Sequence, residues 1–164
     1  MNGSMSVLPP PASPLFLREE EVRRGIELIY FGYADLIAAA DDRLEGTPFG
    51  RAHHRALYFI ARRPGLSVGD LLGLLRITKQ SLSRVINDLK AAELLNIEMG
   101  RQDRRQRLLT LTDEGLRLEQ NLFERLRRKM ANAYADAGQE AVTGFWAVLA
   151  ALLPEDRRQM VLDL

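Results

Sequence analysis

Apolar residues recur at helical spacing along most of this chain, with one interval of alternation near its middle. From about residue 17 to 42 the positions Val22, Ile26, Ile29, Tyr33, Leu36 and Ala40 alternate steps of four and three. That seam predicts a long helix, packed along another helix or buried in its own subunit's core. Residues 46–50 form a loop. A second helix over about 52–63 turns Leu57, Ile60 and Ala61 inward and stops at Pro64-Gly65, because proline cannot continue the hydrogen-bond ladder. Ser67, three residues before Asp70, makes a capping-box-like start for a short helix with Val68, Leu71, Leu72 and Leu75 in one stripe. After Arg76 and Ile77 the pattern restarts, with Thr78 as cap and Leu82, Val85, Ile86 and Leu89 buried at the same spacing.

Alternation then replaces the helical period. Residues 95–99 read as a strand, 100–104 as a polar turn and 106–111 as a returning strand, which together predict a β-hairpin. Thr112, Asp113 and Glu114 open a long helix to about Ala137, with Leu118, Leu122, Leu126, Met130 and Ala133 inward and Arg117, Arg125, Arg127, Arg128 and Lys129 mostly toward water. Gly138 breaks it. Val142, Phe145, Trp146, Leu149, Leu152 and Leu153 form a final apolar helical face, followed by a last turn or short helix over 155–164. Residues 1–14 are rich in Pro and Ser without periodicity, and Met5 is a second candidate start. The expected organisation is a disordered tail over 1–16 and a single domain over 17–164, with 51–115 as a compact lobe between flanking helices at 17–50 and 116–164. The fold class is mainly α with a small β-hairpin (α+β).

The polar positions carry the chemistry. Around the stripe of the helix that starts at Thr78 stand Lys79, Gln80, Ser83, Arg84, Asn87 and Lys90. Two short helices joined by a tight turn, the second presenting such donors and acceptors, match what a helix-turn-helix offers to the DNA major groove. Gln80 and Arg84 are the candidate base readers, since Arg pairs with guanine and Gln or Asn with adenine. Lys79 and Ser83 suit phosphates, and Thr78, Ser81 and Asn87 complete the candidate set. The competing reading is a merely solvated helix face. The hairpin weighs against it: Arg101, Arg104, Arg105 and Arg107 crowd it against one acid, Asp103, giving a basic tip suited to phosphates or a minor groove. Asp103 is expected to accept from the Arg105 guanidinium and fix its direction. An ordinary charged hairpin kept soluble is the plainer alternative.

Helix, turn, helix, hairpin and then D-R-R-Q-R-L-L-T-L-T-D-E-G (103–115) resemble the winged helix-turn-helix of MarR-type transcription regulators, with the D-x-R wing tip at Asp103 and Arg105 and a closing L-T-x-x-G. The resemblance covers most of the chain from about residue 17. The stretches H-H-R-A-L-Y-F-I-A-R-R-P-G and R-I-T-K-Q-S-L-S-R-V are similar to the PetP subgroup of that family. Many relatives have Gly in the turn where this chain has Arg76, and a left-handed Arg there costs about 1 kcal/mol. The resemblance implies a homodimer formed by the terminal helices and a small, often aromatic or anionic, effector bound between those helices and the DNA-reading lobe. Tyr30, Tyr33, His53, His54 and Tyr58 are the candidate pocket residues, with ordinary packing as their alternative. Val22, Ile26, Ile29, Phe145, Trp146 and Leu149 are the candidate dimer interface, although Phe145 and Trp146 also suit a core.

The 164 residues suffice for a sizeable core, and 46% hydrophobic with 27% charged residues is ordinary for a soluble domain. A net charge of +1 gives no general attraction to nucleic acid, so binding must come from the local arginine cluster. With no cysteine, disulfides and thiol redox sensing are excluded, which fits a cytoplasmic protein. No apolar run predicts a membrane span, and no leader pattern is present. His53 and His54 cannot grip one metal together, because adjacent helix residues point about 100° apart. No cofactor or catalytic constellation is evident, so an enzyme is not expected. The leading expectation is therefore a cytoplasmic, homodimeric DNA-binding regulator on a pseudo-palindromic site. Its alternative is a winged-helix protein-interaction module, which would need apolar anchors on the face of residues 78–90.

Overall fold

In the computed structural model the described residues are 13–162 and 164. The expected tail therefore lies outside them up to residue 12, while Ser13 accepts from the Leu15 amide and caps a 3-10 turn, Pro14–Leu17. Seven helices are described: α1 (Glu19–Asp41), α2 (Arg51–Arg62), α3 (Val68–Leu75), α4 (Lys79–Ala91), α5 (Asp113–Ala137), α6 (Gln139–Ala151) and α7 (Glu155–Leu162). Three strands, β1 (Leu66–Ser67), β2 (Leu95–Met99) and β3 (Arg107–Leu111), form an antiparallel sheet in the order β1-β3-β2. The boundaries agree with the periodicity to within a residue or two. The chain forms two compact units, the first ending at Asp35 and the second running from Leu36 to Leu164. This division falls inside α1, not at the expected lobe boundary near residue 50. Burial explains it, since Val22, Ile26 and Ile29 are exposed and the buried apolar positions of α1 begin at Ile37 and Ala40.

The core of the second unit gathers the predicted stripes. Leu57 and Ile60 of α2, Leu71 and Leu75 of α3, Leu82, Val85, Ile86 and Leu89 of α4, and Leu122 of α5 are buried together with Leu109 of β3. Burying a Leu or Ile side chain contributes about 1.5–3 kcal/mol, so this cluster fixes the orientation of α4 against α2 and α3. β1 is an unpredicted addition: two residues are too short to show a period, but Leu66 pairs with Leu109 and ties the start of α3 to the hairpin. β2 and β3 pair from Leu95 with Leu111 to Met99 with Arg107, so the hairpin projects Met99 to Arg107 beyond the core.

Candidate nucleic-acid interface

Local backbone chemistry sets the angle between α3 and α4. Arg76, the residue after α3, takes φ 52° and ψ 46°, the left-handed conformation anticipated from the missing glycine. The Arg55 guanidinium of α2 donates to the Leu75 carbonyl at 2.9 Å, satisfying one of the free carbonyls at that helix end. Thr78 then caps α4: its hydroxyl accepts from the Ser81 amide at 3.1 Å and donates to the Ser81 hydroxyl at 2.9 Å. The four residues of the buried α4 stripe leave Lys79, Gln80, Ser83, Arg84 and Asn87 exposed, as the periodicity required. A cleft of about 270 Å³ runs between Val68, Gly69 and Leu72 of α3 and Lys79, Ser83 and Asn87 of α4, with Arg107 at its edge. Thus the base of the wing and the polar face of α4 converge on one surface.

The wing is built by its own backbone. The Gly100 amide donates to the Gln106 carbonyl at 2.9 Å and the Gln106 amide to the Asp103 carbonyl at 3.0 Å. A side chain at Gly100 would collide with that Asp103 carbonyl. The expected role of Asp103 is corrected: its carboxylate accepts from the Arg105 backbone amide at 2.9 Å, not from the guanidinium. A short acidic side chain reaches the amide two residues on more readily than a long flexible fork reaches back, so Asp103 shapes the turn and leaves the arginine free. Arg101, Arg104, Arg105 and Arg107 are all exposed, and among the described residues none of them makes an ion pair. The same holds for Lys79 and Arg84. These charges are uncompensated and point to an anionic partner.

The L-T-x-x-G run at 111–115 turns out to be a joint. Thr112 accepts from the Gly115 amide at 3.0 Å, capping α5, and its hydroxyl donates to the Glu93 carbonyl at 2.8 Å. Gly115 lies so close to the Leu94 carbonyl that no side chain fits. The end of α4, the wing and α5 are thereby fastened together.

Of the candidate effector residues, His53 has both ring nitrogens engaged within the protein. Its Nδ1 accepts from the Gly50 amide at 3.1 Å, so the ring proton resides on Nε2, which donates to Asp88 of α4 at 3.0 Å. Sequence reasoning missed this link between α2 and α4, because nothing local relates residues thirty-five positions apart. His54 is 3% exposed, its Nδ1 has no hydrogen-bond partner, and burial lowers its pKa from the ordinary histidine value, opposed by nearby Asp41. Tyr58 is half-buried against Phe59 and Phe123. Tyr30 and Tyr33 belong to the first unit and are exposed. Among the interface candidates, Phe145 and Trp146 are exposed and Leu149 half-buried, and the Trp146 indole donates to the Tyr134 hydroxyl at 2.9 Å. Burial also raises the carboxyl pKa of Glu119 on α5, a buried acid that the helical pattern did not distinguish from its solvated neighbours.

The fold and surface can be set beside known proteins. The MarR family profile matches residues 48–106, spanning α2 to the wing. The HTH-type transcriptional regulator PetP of Rhodobacter capsulatus is 46% identical over 152 residues, covering 91% of this chain and 92% of PetP. The structure of FabT from Streptococcus pneumoniae in complex with DNA superposes with a TM-score of 0.64 at 17% identity, covering 80% of this chain and 99% of FabT. That of NadR in complex with 4-hydroxyphenylacetate superposes with a TM-score of 0.67 at 23% identity, covering 90% and 97%. The two structures share the fold, and the sequence identity to PetP extends through the helix-turn-helix, the wing and the flanking helices, so this chain belongs to the MarR family of helix-turn-helix transcriptional regulators.

Proposed function

We propose that the protein acts as a homodimer on double-stranded DNA, with α4 in the major groove and the wing arginines on the minor groove and backbone. The carrying observation is the α4 face: Lys79, Gln80, Ser83, Arg84 and Asn87 stand exposed with no apolar anchor among them, and the wing arginines have no acidic partner among the described residues. Gln80 and Arg84 read base edges, while Lys79, Ser83, the Thr78–Ser81 cap and Arg101, Arg104, Arg105 and Arg107 hold phosphates. Two-fold symmetry places two α4 helices on successive turns of the groove, about 34–36 Å apart, which calls for a pseudo-palindromic site. FabT, of the same fold, has been seen with DNA, which supports this reading. A protein-interaction surface would carry apolar hot spots where this one carries hydrogen-bonding groups.

A small aromatic or anionic effector modulates the binding, as the 4-hydroxyphenylacetate complex of NadR suggests by analogy. Tyr58 and His54 of the second unit are its candidate contacts. His53 contributes there through Asp88 and the placement of α4. No helix among the described residues is long and apolar enough to cross a membrane. A cytoplasmic location is part of the proposal and rests on the DNA reading alone.

Fluorescence anisotropy on duplexes from the protein's own upstream region and on scrambled controls tests the division of labour. Arg84→Ala is expected to lose about 1–3 kcal/mol of discrimination between them. Arg105→Ala should weaken both and reduce the slope of affinity against salt by about one. Equal loss of selectivity from both substitutions, or no binding by the wild type at low salt, would overturn the assignment.

A further inference from the structure

The second half of α5 carries a charged cleft that DNA reading does not use. Arg125, Arg128, Lys129 and Asn132 line it together with Ala39 of α1, and its volume is about 270 Å³. The four α5 positions follow the spacing i, i+3, i+4, i+7 and so make one stripe. Arg125 lies twelve residues into a helix that begins at Asp113, about 18 Å along its axis from the wing end at 1.5 Å per residue.

What sets this stripe apart is the state of its charges. The other arginines in the same stretch of α5 are neutralised three residues back: Arg117 by Glu114, and Arg127 by Glu124 through a fork of 2.7 and 2.8 Å. Among the described residues Arg125, Arg128 and Lys129 make no ion pair or hydrogen bond. Arg128 lies within electrostatic reach of Glu124, but the Arg127 fork already holds that carboxylate. Arg125 is half-buried besides. Like charges three and four residues apart repel along a helix, so the arrangement lowers stability unless an anion sits among them.

The lining also restricts the ligand. It holds no aromatic ring, and Ala39 contributes a methyl group as its apolar surface, so recognition rests on charge and hydrogen bonding. The volume falls just below the range of about 300–1,000 Å³ that holds drug-sized ligands. Two guanidinium groups, an ammonium and an amide line it, donors of the kind that hold a tetrahedral oxyanion. We propose that this cleft is a phosphate-binding site, separate from the DNA surface and from the candidate effector residues.

Calorimetric titration of the full-length protein with inorganic phosphate, against sodium chloride at matched ionic strength, tests this. Saturable binding of one phosphate per chain is expected. The variant Arg125→Gln/Lys129→Gln should weaken it at least about tenfold, since each charge-assisted hydrogen bond contributes strongly. Glutamine keeps the helix propensity and relieves the repulsion, so the melting temperature of that variant should not fall. Arg127→Gln, and separately the wing variant Arg104→Gln/Arg105→Gln, should leave the binding intact. Methyl phosphate distinguishes the ligand's source: equal affinity indicates a phosphorylated small molecule with one oxygen facing out, whereas loss of affinity indicates the free ion. Heat no greater than that of chloride would overturn the proposal, as would binding that survives in the α5 variant and disappears in the wing variant.

Discussion

Single atoms decide the sign of several substitutions in this chain. In an open helix interior Gly→Ala adds about 1 kcal/mol of stability. At Gly115 the added methyl would press on the Leu94 carbonyl, an atom fixed by the Thr112 amide hydrogen bond and unable to retreat. Gly115→Ala is therefore expected to destabilise by about 1–3 kcal/mol, the usual range for overpacking, seen as a lower urea midpoint at unchanged slope. His54 makes a second case, through protonation. Its folded-state pKa lies below the ordinary 6.5, because burial disfavours the charged ring more than Asp41 favours it. As pH falls below about 6.5 the unfolded chain takes up a proton that the folded chain resists, so stability present above that pH is lost progressively down to the folded-state value. Glu119 acts with the opposite sign, since its raised pKa favours the fold below 4.5 and that contribution is lost as pH rises through the folded-state value. Between pH 7 and pH 5.5 the urea midpoint of His54→Leu should therefore fall less, or rise more, than that of the wild type. An equally steep dependence in the variant would place the titrating group elsewhere.

Between elements, the His53–Asp88 hydrogen bond is the link that most directly bears on DNA reading. It joins the start of α2 to the face of α4 one residue beyond Asn87, and His53 is held in turn by Gly50 and by the ring of Phe49 at 5.3 Å. Loss of either partner frees α4 to shift within its apolar socket. His53→Ala and Asp88→Ala should each weaken specific DNA binding, with the double variant little worse than either alone and a coupling of about 0.5–1.5 kcal/mol in anisotropy. Asp88→Asn, which keeps an acceptor for the Nε2 proton, should restore most of the affinity. Additive losses would show two independent contacts instead. The periods of apolar residues locate the first six helices and the hairpin, with α7 expected only as a last turn or short helix, and the polar residues left over from the α4 stripe are the exposed face observed. The D-x-R tip was recognisable as a wing, yet the partner of Asp103 was misassigned, because a side chain to backbone bond leaves no trace in charge pairing. β1, the Arg55 to Leu75 bond and the His53–Asp88 link arise from tertiary contact, and no local pattern encodes which distant groups will meet.

At the scale of the molecule, the apolar surface left uncovered is the main argument for a second copy. In the first unit Val22, Ile26 and Ile29 sit on the heptad seam of α1 and are exposed, with Ile29 at 41%. In the second unit Phe145 and Trp146 of α6 are exposed, Trp146 at 56%, around the Tyr134 ring, which Trp146 meets at 6.1 Å and Phe145 at 6.4 Å between centroids. Scattered exposed apolar residues are ordinary, but a seam with heptad spacing and an aromatic cluster on a terminal helix are features that proteins usually cover. Aromatic anchors with a polar tip, such as the Trp146 indole bonded to Tyr134, are enriched at protein interfaces. A charge placed in either face must be desolvated on association without a partner, at a cost of several kcal/mol per ion. Ile29→Asp and Trp146→Asp are each expected to convert the proposed dimer to monomer in sedimentation velocity while the far-ultraviolet dichroism stays helical. Each should also lower DNA affinity, since a monomer engages one half-site and forfeits the second recognition helix. If both variants sediment as the wild type does, the dimer is built on other surfaces; if the wild type itself is a monomer at micromolar concentration, the pseudo-palindromic site falls with it.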